Sequence, residues 1–391
     1  MKQTFKKRYA FLLLVCMLTV SAGGIFPVNA AAKTDKTVYT AFGDSIAAGY
    51  GLDGYSAGQT TGPADSYQAL VADFLHTNSR NFAVTGDDSD ACIRLLRSGT
   101  ADGDLKNTDV VTLSIGSNDL LLPFIQIVMD YFDIDPQSID KSMFDNGFQM
   151  PQVDPSKIKE YYKQSEKLLA QLRDDETLHA RAAAFPEQLQ TILSLLRQKA
   201  PAAEIYVTNI YNPFTSVPLI GTMAESYIQE INQAFSTDNP LYTLVDVYTL
   251  FRKEALTNVR FDLENLADIN PDPHPSVQGH KVIAQQITAA LKKNHMPKQA
   301  AIQSLTSAKN AKLSAKLKFS ADADGCQIRY AASKNGTYYT LGSTFQKTYR
   351  TNTAKLKKGK TYYVKVRSFR TIKGVTYYGK YSSAKAVKIR N

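Results

Sequence analysis

Four short polar segments of this chain carry the residue types that acyl transfer requires. A serine nucleophile needs a base to take its proton and hydrogen-bond donors to hold the oxyanion that forms on the attacked carbonyl. The segments are Gly43-Asp44-Ser45, Val84-Thr85-Gly86, Gly116-Ser117-Asn118-Asp119 and Asp272-Pro273-His274-Pro275. Together they offer a hydroxyl, an imidazole, an amide and backbone N–H groups, the parts of an acyl-transfer site.

Each of the first three segments stands where a predicted strand ends. Ser45 follows the first strand, so its hydroxyl would project from the strand's carboxyl end and its backbone N–H would be free to donate. Gly86 closes the second strand and can offer an N–H to a ligand, although a turn glycine is the more common role. Asn118 follows the third strand, where its amide could point at an oxyanion or cap the next helix.

His274 is the histidine whose backbone is best fixed. Pro273 and Pro275 restrict the chain on both sides, which predicts a preset imidazole position. The other histidines lie on or beside predicted helices among polar neighbours, and we expect surface roles for them: His76, His179, His280 and His295. The sequence therefore favours His274 as the base.

Taken in order, the four segments resemble the SGNH, or GDSL, hydrolase family over roughly residues 36 to 293. The resemblance implies Ser45 as nucleophile and His274 as general base. It also implies an oxyanion hole made by the Ser45 N–H, the Gly86 N–H and the Asn118 side chain. The activity it implies is that of a serine esterase or lipase acting on carboxylic esters, either lipid-like or O-acylated polysaccharide.

Two positions depart from the family pattern. Ile46 replaces the usual leucine after the serine, which conserves volume. The family places an aspartate three residues before the histidine, where this chain has Pro271. We expect Asp272, two residues before His274, to orient the imidazole. Asp268 or a backbone carbonyl are the alternatives, because holding the tautomer requires only an acceptor.

Short apolar runs alternate with segments of helical period between Val38 and Leu291. The predicted strands are Val38 to Phe42, Asn81 to Val84, Val110 to Ile115, Ile205 to Ile210 and Tyr242 to Val247. The predicted helices are Tyr67 to Leu75, Ile93 to Arg97, Leu120 to Tyr131, Ile158 to Leu172, Pro186 to Lys199, Ala224 to Phe235 and Val277 to Lys292. Strands separated by helices need crossover connections, which predicts a three-layer α/β/α fold with a parallel, flavodoxin-like sheet.

The segment from Phe132 to Pro155 has no clear period and is predicted to be a loop or lid. The residues before it are strongly apolar. They could line an acyl pocket, although burial in the core is the more common fate of such residues. They are Leu120, Leu121, Leu122, Phe124, Ile125, Ile127 and Val128.

Residues 1–30 have the layout of a secretory signal peptide. Lys2, Lys6, Lys7 and Arg8 precede an apolar run from Ala10 to Val20, and small residues at Val28-Asn29-Ala30 predict cleavage after Ala30. We therefore expect a secreted protein, extracellular or associated with the cell wall. No later segment approaches the roughly 20 apolar residues of a transmembrane helix.

The composition changes near Pro297, so we predict a hydrolase domain over residues 31–296 and a second module over residues 297–391. Runs of strand period are Lys312 to Ser320, Gln327 to Ala332, Thr361 to Phe369 and Ala384 to Ile389. Leu356, Gly359 and Tyr362 have the spacing of a tyrosine corner, which resembles the small all-β sandwich of a fibronectin type III module.

The two predicted domains differ strongly in charge. Residues 31–299 carry about 22 Lys and Arg against about 34 Asp and Glu, whereas residues 300–391 carry about 20 against about 2. The basic module predicts an anionic partner such as a cell-wall polymer, with a solvated basic surface as the simpler alternative. A competing hypothesis is an adhesion protein whose basic module carries the function. No nucleic-acid partner is expected.

Neither a metal nor another cofactor is expected. Asp87, Asp88 and Asp90 fit a solvated acidic loop better than a calcium site, and no Cys or His cluster has zinc spacing. Cys92 and Cys326 fall in different predicted domains, so no disulfide is indicated.

Overall fold

The computed structural model describes residues 36–131, 158–216, 218–260, 272–308 and 311–390. The contacts between residues form two compact units, one ending at Thr288 and the other beginning at Ala289. The predicted boundary between residues 296 and 297 lies just after the last helix, which ends at His295. The predicted signal peptide and the predicted lid, Phe132 to Pro155, lie outside the described residues.

The first unit is built on five parallel strands. They are β1 (Tyr39–Gly43), β2 (Ser79–Asn81), β3 (Val110–Ser114), β4 (Glu204–Thr208) and β5 (Thr243–Val245). Their order across the sheet is β2-β1-β3-β4-β5, with every neighbouring pair parallel. All residues of β1 and β3 are buried, as expected for a parallel sheet covered on its faces. The predicted fold class is confirmed.

Helices connect and flank these strands. They are α1 (Ser45–Ala48), α2 (Tyr67–Phe74), α3 (Ser89–Ser98), α4 (Asp102–Leu105), α5 (Ser117–Tyr131), α6 (Ile158–Arg173), α7 (Glu176–Lys199), α8 (Pro218–Asn232), α9 (Tyr248–Lys253), α10 (Ala255–Asn258) and α11 (Val277–His295). Each of the seven helices predicted above overlaps one of them. The start of α7 moved most, by ten residues, and the start of α8 moved by six.

Helix α7 begins ten residues before the predicted start at Pro186. The side chain of Asp175 accepts hydrogen bonds from the N–H groups of Thr177 and Leu178, which caps the helix there. Pro186 lies inside the helix, where its missing N–H would ordinarily break it. The helix continues because its apolar face is buried on both sides of the proline, from Leu178 to Leu196.

Strand β2 ends before the predicted Val84. Its residues pair with β1 as far as Asn81. The chain then continues beside β1, since the N–H of Phe82 donates to Ala41 and that of Val84 donates to Gly43. The predicted residues, Asn81 to Val84, therefore do lie beside β1, but those after Asn81 are not part of the strand.

The second unit is all antiparallel β. Its strands are β6 (Ala301–Ala308), β7 (Ala311–Lys318), β8 (Gly325–Ala331), β9 (Tyr339–Thr344), β10 (Thr348–Thr351), β11 (Thr361–Ile372), β12 (Val375–Tyr378) and β13 (Lys385–Lys388). One sheet has the order β10-β7-β6, and the other has the order β12-β11-β8-β9 with β13 also paired to β11. The apolar residues of both sheets share one core.

The tyrosine corner forms as its spacing indicates. The Tyr362 hydroxyl accepts a hydrogen bond from the Lys357 N–H at 3.2 Å and donates to the Lys355 carbonyl at 3.4 Å. The preceding Leu356 is fully buried beneath it. The structure thus shows an all-β region with this corner, while the resemblance to fibronectin type III stays a prediction.

Within the part of the chain that the structure describes, no helix combines the length and the apolar character needed to cross a membrane.

Candidate active site

Strand β1 delivers Ser45 to the carboxyl edge of the sheet. The strand ends at Gly43, whose φ of +142° few L residues adopt, and a Cβ there would lie 2.1 Å from the carbonyl oxygen of Ser114 in β3. Asp44 follows in extended conformation and caps α1 by accepting the Ile46 N–H at 2.9 Å. Helix α1 therefore begins at Ser45, at the point between β1 and β3 where sheets of this topology bind ligands.

The structure brings His274 to Ser45 across 229 residues of sequence. His274 Nε2 lies 2.8 Å from Ser45 Oγ. On the other side of the ring, Nδ1 lies 2.5 Å from Oδ1 of Asp272. Asp272 Oδ1 also accepts the backbone N–H of His274 at 3.0 Å. The Asp272 carboxylate thus fixes both the imidazole and the backbone that carries it. Asp268, the alternative orienting acid, lies outside the described residues.

The backbone around His274 is tied down from two further directions. The Tyr211 hydroxyl donates to the carbonyl of Pro273 at 2.7 Å. The Arg260 N–H donates to the carbonyl of His274 at 2.9 Å. The ring of Tyr50 packs against the imidazole with the ring centres 4.6 Å apart. The imidazole position is therefore set by packing and hydrogen bonds as well as by the flanking prolines.

Arg260 is a site residue that the sequence analysis missed. Its Nε lies 3.0 Å from Oδ2 of Asp272, and its Nη1 donates to the carbonyl of Gly51. Burial raises the pKa of Asp272, but the charges of His274 and Arg260 and the hydrogen bonds from His274 outweigh it, so that the pKa falls below its usual value. Asp272 is consequently ionised at neutral pH. No local motif marks Arg260, because its partner lies twelve positions further along the chain.

Asn118 lies at the start of α5, buried, with its amide directed at the Gly86 loop. Its Nδ2 donates to the carbonyl of Asp87 at 2.8 Å. An amide nitrogen carries two hydrogens, so one remains for a ligand. Gly86 has a φ of +89°, the left-handed conformation that favours glycine. Asn118 and the Gly86 loop are therefore neighbours, as an oxyanion hole shared between them would require.

Asp119, the residue after Asn118, is hydrogen-bonded to Ser89 at the start of α3. Its carboxylate accepts the Ser89 N–H at 3.1 Å and the Ser89 hydroxyl. Burial raises the pKa of Asp119 to about 6, although the hydrogen bonds from Ser89 lower it. The start of α5, which carries Asn118, is thereby tied to the start of α3, which follows Gly86.

An apolar cavity opens directly beside these groups. It encloses about 720 Å³ of empty space, including its mouth to solvent. Ser45, Asn118 and His274 stand at one part of its wall, and helices α5 and α8 and the segment that follows β4 supply much of the rest. The apolar lining includes Leu120, Leu121, Phe124, Leu178, Ile210, Phe214, Met223, Tyr227 and Ile228. Its position beside Ser45 and its largely apolar lining are those of a small-molecule site.

The apolar start of α5 serves both roles that the sequence left open. Leu120, Leu121 and Phe124 line the cavity and also pack in the core of the unit. Leu122 and Ile127 are partly buried and are not part of the described lining. The side chains of Ile125 and Val128 lie outside the described part of the structure.

The expectation of a surface role for His280 is wrong. This residue is fully buried, and its Nδ1 accepts the backbone N–H of Tyr67 at 3.2 Å. Burial lowers the pKa of His280 to about 3, with smaller contributions from the charges of His274 and Arg260. It lies on the inner face of α11, so the polar residues that adjoin it in sequence do not surround it in space. His76 and His179 are exposed.

The acidic side chains after Gly86 form hydrogen bonds and ion pairs with other residues of the protein. Asp88 caps α3 by accepting the Ala91 N–H at 2.8 Å, and Asp90 accepts a hydrogen bond from Gln188. Arg181 lies within 3.9 Å of Asp88 and 3.7 Å of Asp90. Among the residues with described positions, no group of three or more His, Cys, Asp or Glu side chains is arranged to hold a metal ion.

Comparison with known proteins matches the same part of the chain. The model of the GDSL-like lipase/acylhydrolase family matches residues 41–282. The uncharacterized protein YpmR of Bacillus subtilis (strain 168) is 24% identical over 301 residues, which are 74% of this chain and 94% of YpmR.

Solved structures give further similarities. The lipase Lip_vut3 from a goat rumen metagenome is 17% identical, with a TM-score of 0.43, over 65% of this chain and 97% of its own. Phospholipase A1 from Streptomyces albidoflavus NA297 is 16% identical, with a TM-score of 0.44, over 65% of this chain and 99% of its own. An acetylxylan esterase from Geobacillus stearothermophilus, Axe2, is 17% identical, with a TM-score of 0.36, over 66% of this chain and 94% of its own.

Proposed function

This chain belongs to the GDSL-like lipase/acylhydrolase family, whose members act on esters, and from that premise we propose that it hydrolyses carboxylic esters through a covalent Ser45 intermediate. The observation that carries the proposal is the hydrogen-bonded series Ser45, His274 and Asp272 at the wall of an apolar cavity. A nucleophile, its base and the group that orients the base are there within bonding distance.

In the proposed mechanism His274 takes the hydroxyl proton as Ser45 Oγ attacks the ester carbonyl. Asp272 holds the tautomer in which Nε2 is free to accept that proton, and it stabilises the imidazolium that forms. The Ser45 and Gly86 N–H groups and the Asn118 amide bind the oxyanion. His274 then protonates the departing alcohol, and water that it activates releases the acid from Ser45.

We propose acyl groups longer than acetyl as the natural substrates. Acetyl would leave most of the apolar wall of the cavity uncovered, whereas a longer chain would bury methylene groups against Leu121, Phe124 and Met223. Each buried methylene contributes about 0.8 kcal/mol, or roughly a fourfold gain in kcat/KM while the chain still fits. Short acyl groups on a polysaccharide are the alternative.

A series of p-nitrophenyl esters tests both proposals. We expect kcat/KM to rise from acetate through butyrate to octanoate, and Ser45→Ala to remove the activity on every ester. Ser194→Ala is the matched control, because Ser194 is an exposed serine on α7. If acetate were the best substrate and longer esters were slower, the short-acyl alternative would replace ours; if Ser45→Ala kept its activity, the mechanism would be wrong.

We also propose that the protein is exported, on the basis of its N-terminal sequence. The basic start, the apolar run and the small residues before Ala30 favour recognition by the secretion machinery. N-terminal sequencing of the protein recovered from the culture medium should begin at Ala31. Retention of the uncleaved chain inside the cell would contradict this.

A further inference from the structure

The outer face of one sheet in the second unit brings its cations together. Along β11 the residues alternate, so that Val364 and Val366 are buried in the core while Lys365 and Arg367 lie half-buried on the other side. Strand β8 alternates in the same way and pairs Arg329 with Lys365. Three tyrosines lie among these cations. We call the surface the cationic tyrosine face, and its members are Arg329, Lys365, Arg367, Tyr338, Tyr378 and Tyr381.

Arg367 is held between two aromatic rings. Its guanidinium carbon lies 3.6 Å from the ring centre of Tyr378 and 4.8 Å from that of Tyr381. Its Nε donates to Gln327 Oε1 at 2.9 Å. Within the described residues its two terminal nitrogens donate to no protein acceptor. The planar guanidinium of Arg367 is therefore fixed in place, with its two terminal nitrogens left to donate hydrogen bonds to a ligand.

Arg329 is fixed beside it in a similar way. Its Nη1 donates to the Tyr381 hydroxyl at 3.1 Å, and its Nη2 donates to the Tyr338 carbonyl. Its Nε is buried and has no hydrogen-bond partner among the described atoms. Lys365 completes the row, with Nζ 4.2 Å from the ring centre of Tyr338. Three cations are thus held by rings and neutral groups.

Among the described residues of the second unit, no carboxylate forms a salt bridge with these cations. Residues 300–391 contain two acidic residues, Asp322 and Asp324. The first accepts the Lys298 N–H at 3.1 Å, and the second accepts the Thr371 N–H at 2.7 Å. Burial and the nearby charge of Arg329 lower the pKa of Arg367 despite the two tyrosines. Within the described residues, the face therefore holds like charges close together with no salt bridge to a carboxylate, an arrangement that a bound anion would stabilise.

We propose that the cationic tyrosine face binds an acidic polysaccharide. Fixed guanidinium groups bind carboxylates through their N–H donors, and an acidic polysaccharide presents such carboxylates along its chain. Arg367 covers one face of Tyr378 and of Tyr381, which leaves at most one face of each ring for stacking on a nucleic-acid base. Their edges and the Tyr378 hydroxyl instead suit hydrogen bonding and packing with sugar rings. Three cations on neighbouring strands fit an extended chain rather than a single small anion.

Binding of the full protein to carboxymethyl dextran tests this proposal, with uncharged dextran of the same length as the reference polymer. We expect binding to carboxymethyl dextran that weakens between about 50 mM and about 500 mM salt, since screening reduces such contacts. Uncharged dextran should bind at least about tenfold more weakly. Absence of binding to carboxymethyl dextran at low salt would overturn the proposal.

Paired variants separate the face from the general basic charge. Arg329→Gln with Arg367→Gln should weaken binding by about tenfold or more. Arg350→Gln with Arg370→Gln removes the same charge from exposed arginines on β10 and the end of β11, and should have a much smaller effect. Equal losses in the two pairs would show that net charge alone is responsible and would overturn the site.

Two single variants keep the test decisive if the double variant folds poorly. Arg367→Lys retains the charge but loses the fork, and we expect it to weaken binding severalfold at an unchanged melting temperature. Tyr378→Leu removes a partly exposed ring and should act in the same direction. Unchanged binding in both would contradict the proposal. Tighter binding to duplex DNA or to anionic phospholipid vesicles than to carboxymethyl dextran would also overturn the polysaccharide assignment.

Discussion

The imidazole of His274 is held between a hydroxyl and a carboxylate, and the carboxylate is itself held by Arg260. This arrangement fixes the tautomer that can accept a proton from Ser45, which is the requirement that a serine nucleophile places on its base. Asn118 lies at the Gly86 loop, where its amide would bind the oxyanion in the proposed mechanism. Each of these residues therefore makes a separate, measurable contribution.

Arg260 positions Asp272 and should affect turnover without touching the substrate. We expect Arg260→Gln to lower kcat about tenfold, equivalent to about 1.4 kcal/mol of transition-state stabilisation, with little change in KM. Arg260→Lys should recover part of the loss because it restores a cation beside the carboxylate. Steady-state kinetics on a p-nitrophenyl ester measures both. A variant that instead raised KM with unchanged kcat would exclude the positioning role.

Asn118 donates to the oxyanion in the proposed mechanism. We expect Asn118→Ala to lower kcat by about 10²- to 10³-fold, the usual cost of one oxyanion donor. The melting temperature should change little, and Asn107→Ala is a control at an exposed asparagine. Activity close to that of the native enzyme would remove Asn118 from the hole.

Asp44 should make the stability of the first unit depend on pH. It is buried with Oδ2 lacking a hydrogen-bond partner among the described atoms, and burial raises its pKa to about 7. Between about pH 4 and pH 7 the folded state keeps this proton and the unfolded state does not, so stability falls as pH rises, by about 1.4 kcal/mol per unit. Asp44→Asn should reduce the slope measured by urea unfolding at several pH values, while Asp119, whose pKa is also raised, leaves a slope of the same sign below about pH 6. An identical slope in the variant would contradict the assignment.

The sequence predicted Ser45, Gly86 and Asn118 from their places after strands, His274 from its flanking prolines and Asp272 from its closeness to His274. The resemblance to the SGNH family implied the roles of the serine, the histidine and the oxyanion hole. The structure brings the hydroxyl, the imidazole and the carboxylate within bonding distance. Their catalytic roles stay predictions until they are measured. Arg260 and His280 could not be placed in this way, since what surrounds them comes from distant parts of the chain.

Elements of structure determine where these side chains meet. Strands β1 and β3 are adjacent and parallel, so the residues that follow them emerge at one edge of the sheet. Helices α5 and α8 and the segment that follows β4 then pack beside that edge and leave the apolar cavity between them. The order of strands and helices could be predicted from periodicity, whereas the cavity depends on how side chains from these separate elements fit together.

The wall contributed by α8 should set the preferred acyl length. Ala224 lines the cavity, so Ala224→Leu would fill part of it and we expect kcat/KM for octanoate to fall about tenfold while that for acetate falls less than about twofold. Ala184→Leu, at an exposed position of α7, is the control. Equal losses on the two esters would show that the cavity does not hold the acyl chain.

Two of the strands that sequence reasoning missed, β6 and β9, have weak apolar patterns. Strand β6 has mostly exposed residues, and β9, which includes Gly342, has no buried residue. Both are stabilised by pairing with β7 and β8 respectively. Strand propensity depends strongly on such partners, so an isolated pattern does not reveal them.

The whole molecule combines an acidic α/β unit with a basic β unit, each with its own core. The division and the contrast in charge were visible in composition. Composition did not reveal that Arg329, Lys365 and Arg367 lie on one face of a sheet, because this depends on the register between β8 and β11.

The two thiols outside the predicted leader should be unreactive in the native protein. Cys92 and Cys326 are free and buried, one in each unit. Burial raises the pKa of both thiols, that of Cys326 to about 12, which keeps them in the unreactive protonated form. We expect almost no reaction with a thiol reagent in buffer and two equivalents in denaturant. Rapid reaction of either thiol without denaturant would contradict the buried positions.

The most direct measurement is mass spectrometry of the protein after incubation with an organophosphate that phosphorylates activated serines. We expect one adduct, located on the peptide that contains Ser45, with loss of esterase activity in proportion to labelling. Labelling should be absent in Ser45→Ala and strongly slowed in His274→Gln. A stoichiometric adduct on another residue, or full activity in a protein labelled at Ser45, would exclude Ser45 as the nucleophile.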